Sequence, residues 1–174
     1  MYIELHCASA FSFLRGASLP ETLVDRAAAL GYPALALLDA DGVYGAPRFH
    51  KAAQKAGLRA IIGAELTIDT HGSPDKPRSP GVTEKNHKGL RVSVSPWPVN
   101  SGSRWTLPVL VESQEGYRNL CRLITRMKLR AAKGEGALAL EELDGSTAGL
   151  VALGGRALLD TRQYGVGGLL DRLV

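Results

Sequence analysis

Residues 31–66, GYPALALLDADGVYGAPRFHKAAQKAGLRAIIGAEL, decide the class of fold. Two glycines divide this stretch in the same way. Gly31 is followed three residues later by Ala34, and Gly57 by Ala60; each glycine closes an alanine-rich segment and opens an apolar run. Ala34–Leu38, ALALL, is apolar throughout, as suits a strand buried on both faces of a parallel sheet. Ala60–Leu66 reads as a second such strand, with Glu65 near its end. Between them, about Gly45–Ala56 reads as a helix, with Pro47 near its start and Phe49, Ala52, Ala53 and Ala56 on one face. Strand, helix and strand at this spacing imply crossover connections, parallel strands and an α/β fold.

Working toward the N-terminus, Tyr2–Ser18, YIELHCASAFSFLRGAS, reads as a strand over Tyr2–Leu5 that ends in His6. A turn of small and polar residues follows. Ser18 and Glu21 have capping-box spacing, Pro20 suits a first helical turn, and Leu19, Leu23, Ala27 and Leu30 form the expected apolar face. A histidine at the C-terminal end of a strand lies where α/β enzymes place ligands and bases. Ala8, however, stands where a His-x-His metal pair needs its second imidazole. Asp39 and Asp41 form a DxD in the loop after the second strand; it could hold one divalent ion, or serve as turn and cap before Gly42.

Working toward the C-terminus, Asp69–Arg104 is rich in Gly, Ser, Pro, Lys and Asn and reads as a long loop, with a possible strand at Leu90–Ser95. Leu107–Val111 reads as a fourth strand. Glu115–Lys133 is the longest helical pattern, with Tyr117, Leu120, Cys121, Ile124 and Met127 facing inward. On its other side Arg118, Arg122, Arg126, Arg130 and Lys133 recur about once per turn. Such a ridge is either a solvated face or a contact for a phosphate backbone or an acidic partner. Leu140–Leu143 reads as a short helical turn and Gly149–Leu153 as a fifth strand. Helical stretches near Ala157–Leu159 and Leu169–Leu173 end the chain without a closing strand. His50, His71 and His87 have no ligand partner at motif spacing.

The composition is that of an ordinary globular chain. It has 174 residues, 45% hydrophobic and 22% charged, with a net charge of +4 and a pI near 9.2. One domain with a real core is expected over 1–174, with 69–106 as a loop-rich insert. The basic excess is mild and does not by itself imply nucleic acid. Cys7 and Cys121 are far apart and form no CxxC, which suits a reduced, cytoplasmic setting. No signal peptide or membrane span is read, and no membrane partner is expected.

Five motifs occur in one order: ELHCASAFSFLRGAS, LGYPALALLDADGVYG, AGLRAIIGAELTI, EGYRNLCRLIT and GLVAL. Together they resemble the PHP (polymerase and histidinol phosphatase) domain at the N-terminus of bacterial DNA polymerase III alpha-type subunits. The wording is most similar to the error-prone branch of those polymerases. The resemblance implies a distorted (β/α)7 barrel, here incomplete, with about five βα units and a truncated C-terminus. It also implies a place in DNA replication and repair, beside a polymerase core, other repair proteins or DNA. Active members hold two or three metals on His, Asp, Glu and Cys ligands at the strand ends and hydrolyse phosphoesters. Metals there generate hydroxide and neutralise phosphate charge, and such ligands suit Zn²⁺ or Mn²⁺.

Carried over residue by residue, the ligand set is depleted. His6 and Glu65 match. Ala8, Arg15, Ala40 and Thr106 stand where the pattern has His, Asp, His and His. The expectation is therefore a chain without a bound metal, in which His6, Glu65, Asp39 and Asp41 are remnants and Glu65 pairs with Arg15. The full-length proteins of the resemblance are DNA-directed DNA polymerases. Nothing in this chain supplies a palm, so on its own it is expected to be inactive. Two other functions compete: a small metal-dependent phosphoesterase working from the four remnants, and a binding module whose basic ridge meets DNA or protein.

Overall fold

The computed structural model describes residues 2–69, 104–132 and 135–154. The chain runs through β1 (Glu4–Cys7), α1 (Pro20–Ala29), β2 (Ala34–Ala40), α2 (Ala46–Ala56), β3 (Arg59–Asp69), β4 (Arg104–Val111), α3 (Gln114–Arg130), a 3₁₀ turn (Leu140–Leu143) and β5 (Leu150–Ala152). The fold is α/β, and its five strands lie in one sheet in sequential order. β1, β2 and β3 are parallel, as the glycine-spaced echo predicts. β4 is antiparallel to β3, and β5 to β4. The expected strand at Leu90–Ser95, the histidines His71 and His87, Lys133 and the helical stretches near Ala157–Leu159 and Leu169–Leu173 lie outside the described residues.

β2 is the buried axis of the sheet: every residue from Ala34 to Asp39 is buried. Alternation along the strand divides its side chains between two layers. Leu35 and Leu37 pack with Val24 and Ala27 of α1 and with Phe49 and Ala53 of α2. Ala36 and Leu38 point to the opposite face and meet Leu110. On β3 and β4, Ala64, Leu66, Ile68, Leu107 and Val109 pack under Leu120, Leu123 and Met127 of α3. Gly31 and Gly57 both adopt φ +71°, and Gly57 is the left-handed cap of α2. That conformation suits glycine because it has no Cβ to clash.

Several local expectations are corrected. β1 is Glu4–Cys7 rather than Tyr2–Leu5, so His6 lies within the strand instead of after it. Ser18 does not cap α1. The N-cap is Leu19 and receives no side-chain hydrogen bond, while Glu21 reaches across to Arg48 of α2. The buried face of α1 is Pro20, Val24 and Ala27; Leu19 and Leu30 are exposed. A helix that packs at an angle on two neighbours need not bury the stripe its sequence favours. On α2, Phe49 and Ala53 are buried but Ala56 is exposed. On α3, Leu120, Ile124 and Met127 are buried as expected, Leu123 and Asn119 join them, and Tyr117 and Cys121 are only partly covered. β4 begins at Arg104, earlier than the expected Leu107.

Candidate metal centre at the strand ends

The parallel pairing brings the ends of β1 and β2 beside Glu65 of β3, a strand expected to stop at Leu66 that instead continues to Asp69 in its ladder with β4. In register, Ala40 lies beside Glu65 on the adjacent strand, and Thr67 opposes Thr106 across the antiparallel pair. Neighbours in register share a face, so Ala40, Glu65, Thr67 and Thr106 are on the same side of the sheet. His6 reaches that group from β1. The sequence positions matched to a metal site therefore do converge.

Their chemistry is already spoken for. His6 Nε2 lies 2.5 Å from Glu65 Oε1, and Arg15 Nη1 donates to Glu65 Oε2 at 2.9 Å. The His6 nitrogen that faces the rim is thus engaged with Glu65. Glu65 is 15% exposed and spends one oxygen on each partner. The expected Arg15–Glu65 pair is thus formed, with a fixed positive charge against the carboxylate.

Asp39 is buried more deeply, at 2% exposure. It accepts from Ser9 N at 2.8 Å, from Ser9 Oγ at 2.9 Å and from Ser12 Oγ at 2.7 Å. Ser12 Oγ in turn accepts from Ala40 N at 3.0 Å. Ser9 and Ser12 are both buried, so this network replaces the water that the carboxylate gave up. Gly16 closes the same loop: a Cβ there would stand 2.2 Å from the Ser9 carbonyl oxygen. Asp41 turns the other way. It adopts φ +48° and accepts from Thr67 N at 2.7 Å and Thr67 Oγ1 at 2.8 Å. The two aspartates of the DxD face different partners and do not form one site.

The remaining candidates behave as structure. Burial pushes the Cys7 thiol up, with Glu4 and Asp39 adding to the effect. It packs against the α1–α2 layer. His50 is exposed on α2. The basic ridge on α3 is divided. Arg126 Nη1 reaches the Glu142 carbonyl oxygen at 3.5 Å, and Arg130 holds the Glu142 carboxylate with both terminal nitrogens while donating to Ala137 O at 2.7 Å. Burial raises the Glu142 pKa, but the hydrogen bonds from Arg130 and from Ala139 N outweigh it and hold the group below its ordinary value. Arg118 and Arg122 stay exposed, Arg122 with a long contact to Asn119 Oδ1.

Sequence reasoning missed Ser9, Ser12 and Thr67, which decide where the two aspartates point. The only signal was a pair of hydroxyls three residues apart, in the turn after a strand that ends beside an aspartate-bearing strand.

These residues match the PHP domain family over residues 4–174. The chain belongs to the PHP family. Among its relatives, the error-prone DNA polymerase of Ralstonia nicotianae is 41% identical over 143 residues, 82% of this chain and 11% of that protein. The error-prone DNA polymerase of Anaeromyxobacter sp. strain K is 42% identical over 125 residues, 72% of this chain and 9% of that protein. The chain thus spans about a tenth of the length of these relatives. Among solved structures, a Bifidobacterium adolescentis protein assigned as a metal-dependent phosphoesterase aligns with a TM-score of 0.45 and 18% identity, over 73% of this chain and 33% of that one. At that distance the likeness says nothing about chemistry.

The family resemblance implies a centre of several free ligands around two or three metals. The residues at this rim do not fit such a group. His6 and Glu65 are bound to each other, Arg15 brings a positive charge to the same point, Ala8 and Ala40 offer only methyl groups, and the aspartates are consumed by serine and threonine donors. Among the described residues no cluster of three or more His, Cys, Asp or Glu could hold a metal. Among them, too, no helix is long and apolar enough to cross a membrane.

Proposed function

We propose that this chain is a metal-free PHP domain that serves as a scaffold for an error-prone DNA polymerase in the cytoplasm, with 1–174 as one domain and 69–106 as its insert. One observation carries the reading: both oxygens of Glu65 are engaged, by His6 and by Arg15. A guanidinium supplies the positive charge that a metal supplies in active relatives, so the carboxylate is kept without any ion. DNA synthesis then belongs to a polymerase body and not to these residues. The test is the metal content of protein purified without chelator, together with its hydrolysis of a generic phosphoester. Substoichiometric zinc and manganese, and a rate unchanged by Glu65→Ala, are expected. Stoichiometric Zn²⁺ or Mn²⁺, with hydrolysis lost in Glu65→Ala, would establish the phosphoesterase reading instead.

A second reading has its own support. Arg118 and Arg122 are exposed and have no carboxylate partner among the described residues. They leave room for a DNA contact, which would show as affinity falling steeply with added salt.

A further inference from the structure

The segment between β1 and α1 carries two side chains that the fold does not use. Phe13 is 83% exposed and Leu14 86%. Large apolar side chains this open are ordinary when they sit on mobile loops, but this loop is pinned at every turn. Ser12 N donates to Ser9 O at 2.9 Å, Arg15 N and Gly16 N both donate to Ser12 O, and Ala10 N closes the base onto Ser18 O at 2.8 Å. Ser9 and Ser12 are tied to the buried Asp39, and Arg15 to Glu65. Leu14 itself has φ +64°, a left-handed conformation that a branched apolar residue adopts at a cost. An observed backbone outlier of this kind points toward a role rather than away from one. Beside it, Phe11 lies under the Arg48 guanidinium, 5.9 Å from its ring centroid, and Gly45 approaches the Phe11 ring. Tyr44, next to Gly45, is also exposed.

We propose that Phe13 and Leu14 form a rigid knob that docks the PHP domain onto the body of an error-prone DNA polymerase. The inference rests on the scaffold reading and gives it a contact surface. The occupant is a protein rather than a nucleic acid, because the neighbouring cations are already neutralised: Arg15 by Glu65 and Arg48 by Glu21. Among the described residues, neither of these two cations is left unpaired for a phosphate, whereas the exposed Phe13 and Leu14 suit an apolar pocket. The occupant is a polymerase body because, in the relatives, about nine tenths of the polypeptide lies outside the matched segment. A PHP domain of this kind therefore has a large protein beside it to cover such a knob. Two apolar side chains seated in a pocket are of the size that dominates an interface.

The experiment titrates the 174-residue chain against the Ralstonia nicotianae error-prone DNA polymerase from which the matched segment has been removed. Wild type is expected to bind. Phe13→Ser and Leu14→Gly are each expected to weaken binding at least about tenfold. Leu14→Gly is the safer variant for folding, since glycine relieves the positive φ and its unfolding midpoint should not fall. If both variants bind as tightly as wild type, the knob is not the contact and this inference is overturned while the scaffold reading stands. Should wild type fail to bind the body, or should the variants instead disperse a homodimer seen by sedimentation, the inference also fails. Metal content measured on the same preparation tests the scaffold reading separately.

Discussion

Asp39 is the penultimate residue of β2, and its carboxylate receives a backbone amide and two hydroxyls from the loop that follows β1. None of these groups has water as an alternative, so the loop and the aspartate depend on each other. Asp39→Asn would turn an NH2 group toward donors that need an acceptor. It should lower the stability by about 2–3 kcal/mol, read as a shift of the urea midpoint at constant slope. A loss below about 0.5 kcal/mol would mean that the serines find other acceptors. The sequence marked Asp39 as a remnant ligand or turn residue, but not the donors that claim it. Ser9 and Ser12 lie 30 and 27 residues away, and no local pattern reports a pairing across that distance.

At the scale of elements, the helices show where local signals hold and where packing overrides them. Gly57 caps α2 as its sequence demands, because the left-handed cap is a property of the glycine itself. Ser18 was equally well spaced for α1 yet does not cap it, and Glu21 of the supposed capping box ties α1 to α2 through Arg48. Ser113 does cap α3, accepting from Gly116 N at 3.1 Å. At the other end of α3, Arg130 clasps Glu142 and so holds the 3₁₀ turn whose Leu140 and Leu143 complete the core under that helix. Because the folded-state pKa of Glu142 is depressed, the clasp contributes fully above the ordinary glutamate value of 4.5 and loses that contribution as pH falls through the lowered value. Glu142→Gln should therefore cost about 1 kcal/mol at pH 7 and nothing below both values. Thermal unfolding from pH 3 to 7 would show the wild-type and variant curves converging in acid. Parallel curves across that range would contradict the assignment.

For the molecule as a whole, the ligand positions are depleted while the scaffold that would hold them persists. His6 and Glu65 still meet at the rim, Ala8 and Ala40 are partly covered, and Arg15 is exposed. Combined replacement by Ala8→His, Arg15→Asp and Ala40→His should release Glu65, restore imidazole and carboxylate donors, and create a site for zinc or manganese. Calorimetric titration with zinc should show binding at least about tenfold tighter than in wild type. Equal affinities would mean that the rim geometry, and not merely its ligands, has departed from a metal centre. The sequence by itself determined the α/β class, the three parallel strands, the glycine stops and the gaps at Ala8, Arg15, Ala40 and Thr106. Those features are written in local periodicity, in backbone preference and in the plain identity of side chains. Only the tertiary structure decided that β4 and β5 run antiparallel, that Ser9 and Ser12 own Asp39, and that Thr67 owns Asp41. It also showed that Arg126 and Arg130 of the basic ridge are spent on Glu142. Each of these is a choice among partners distant in sequence, and such choices are made by strand register and burial rather than by any short stretch of chain.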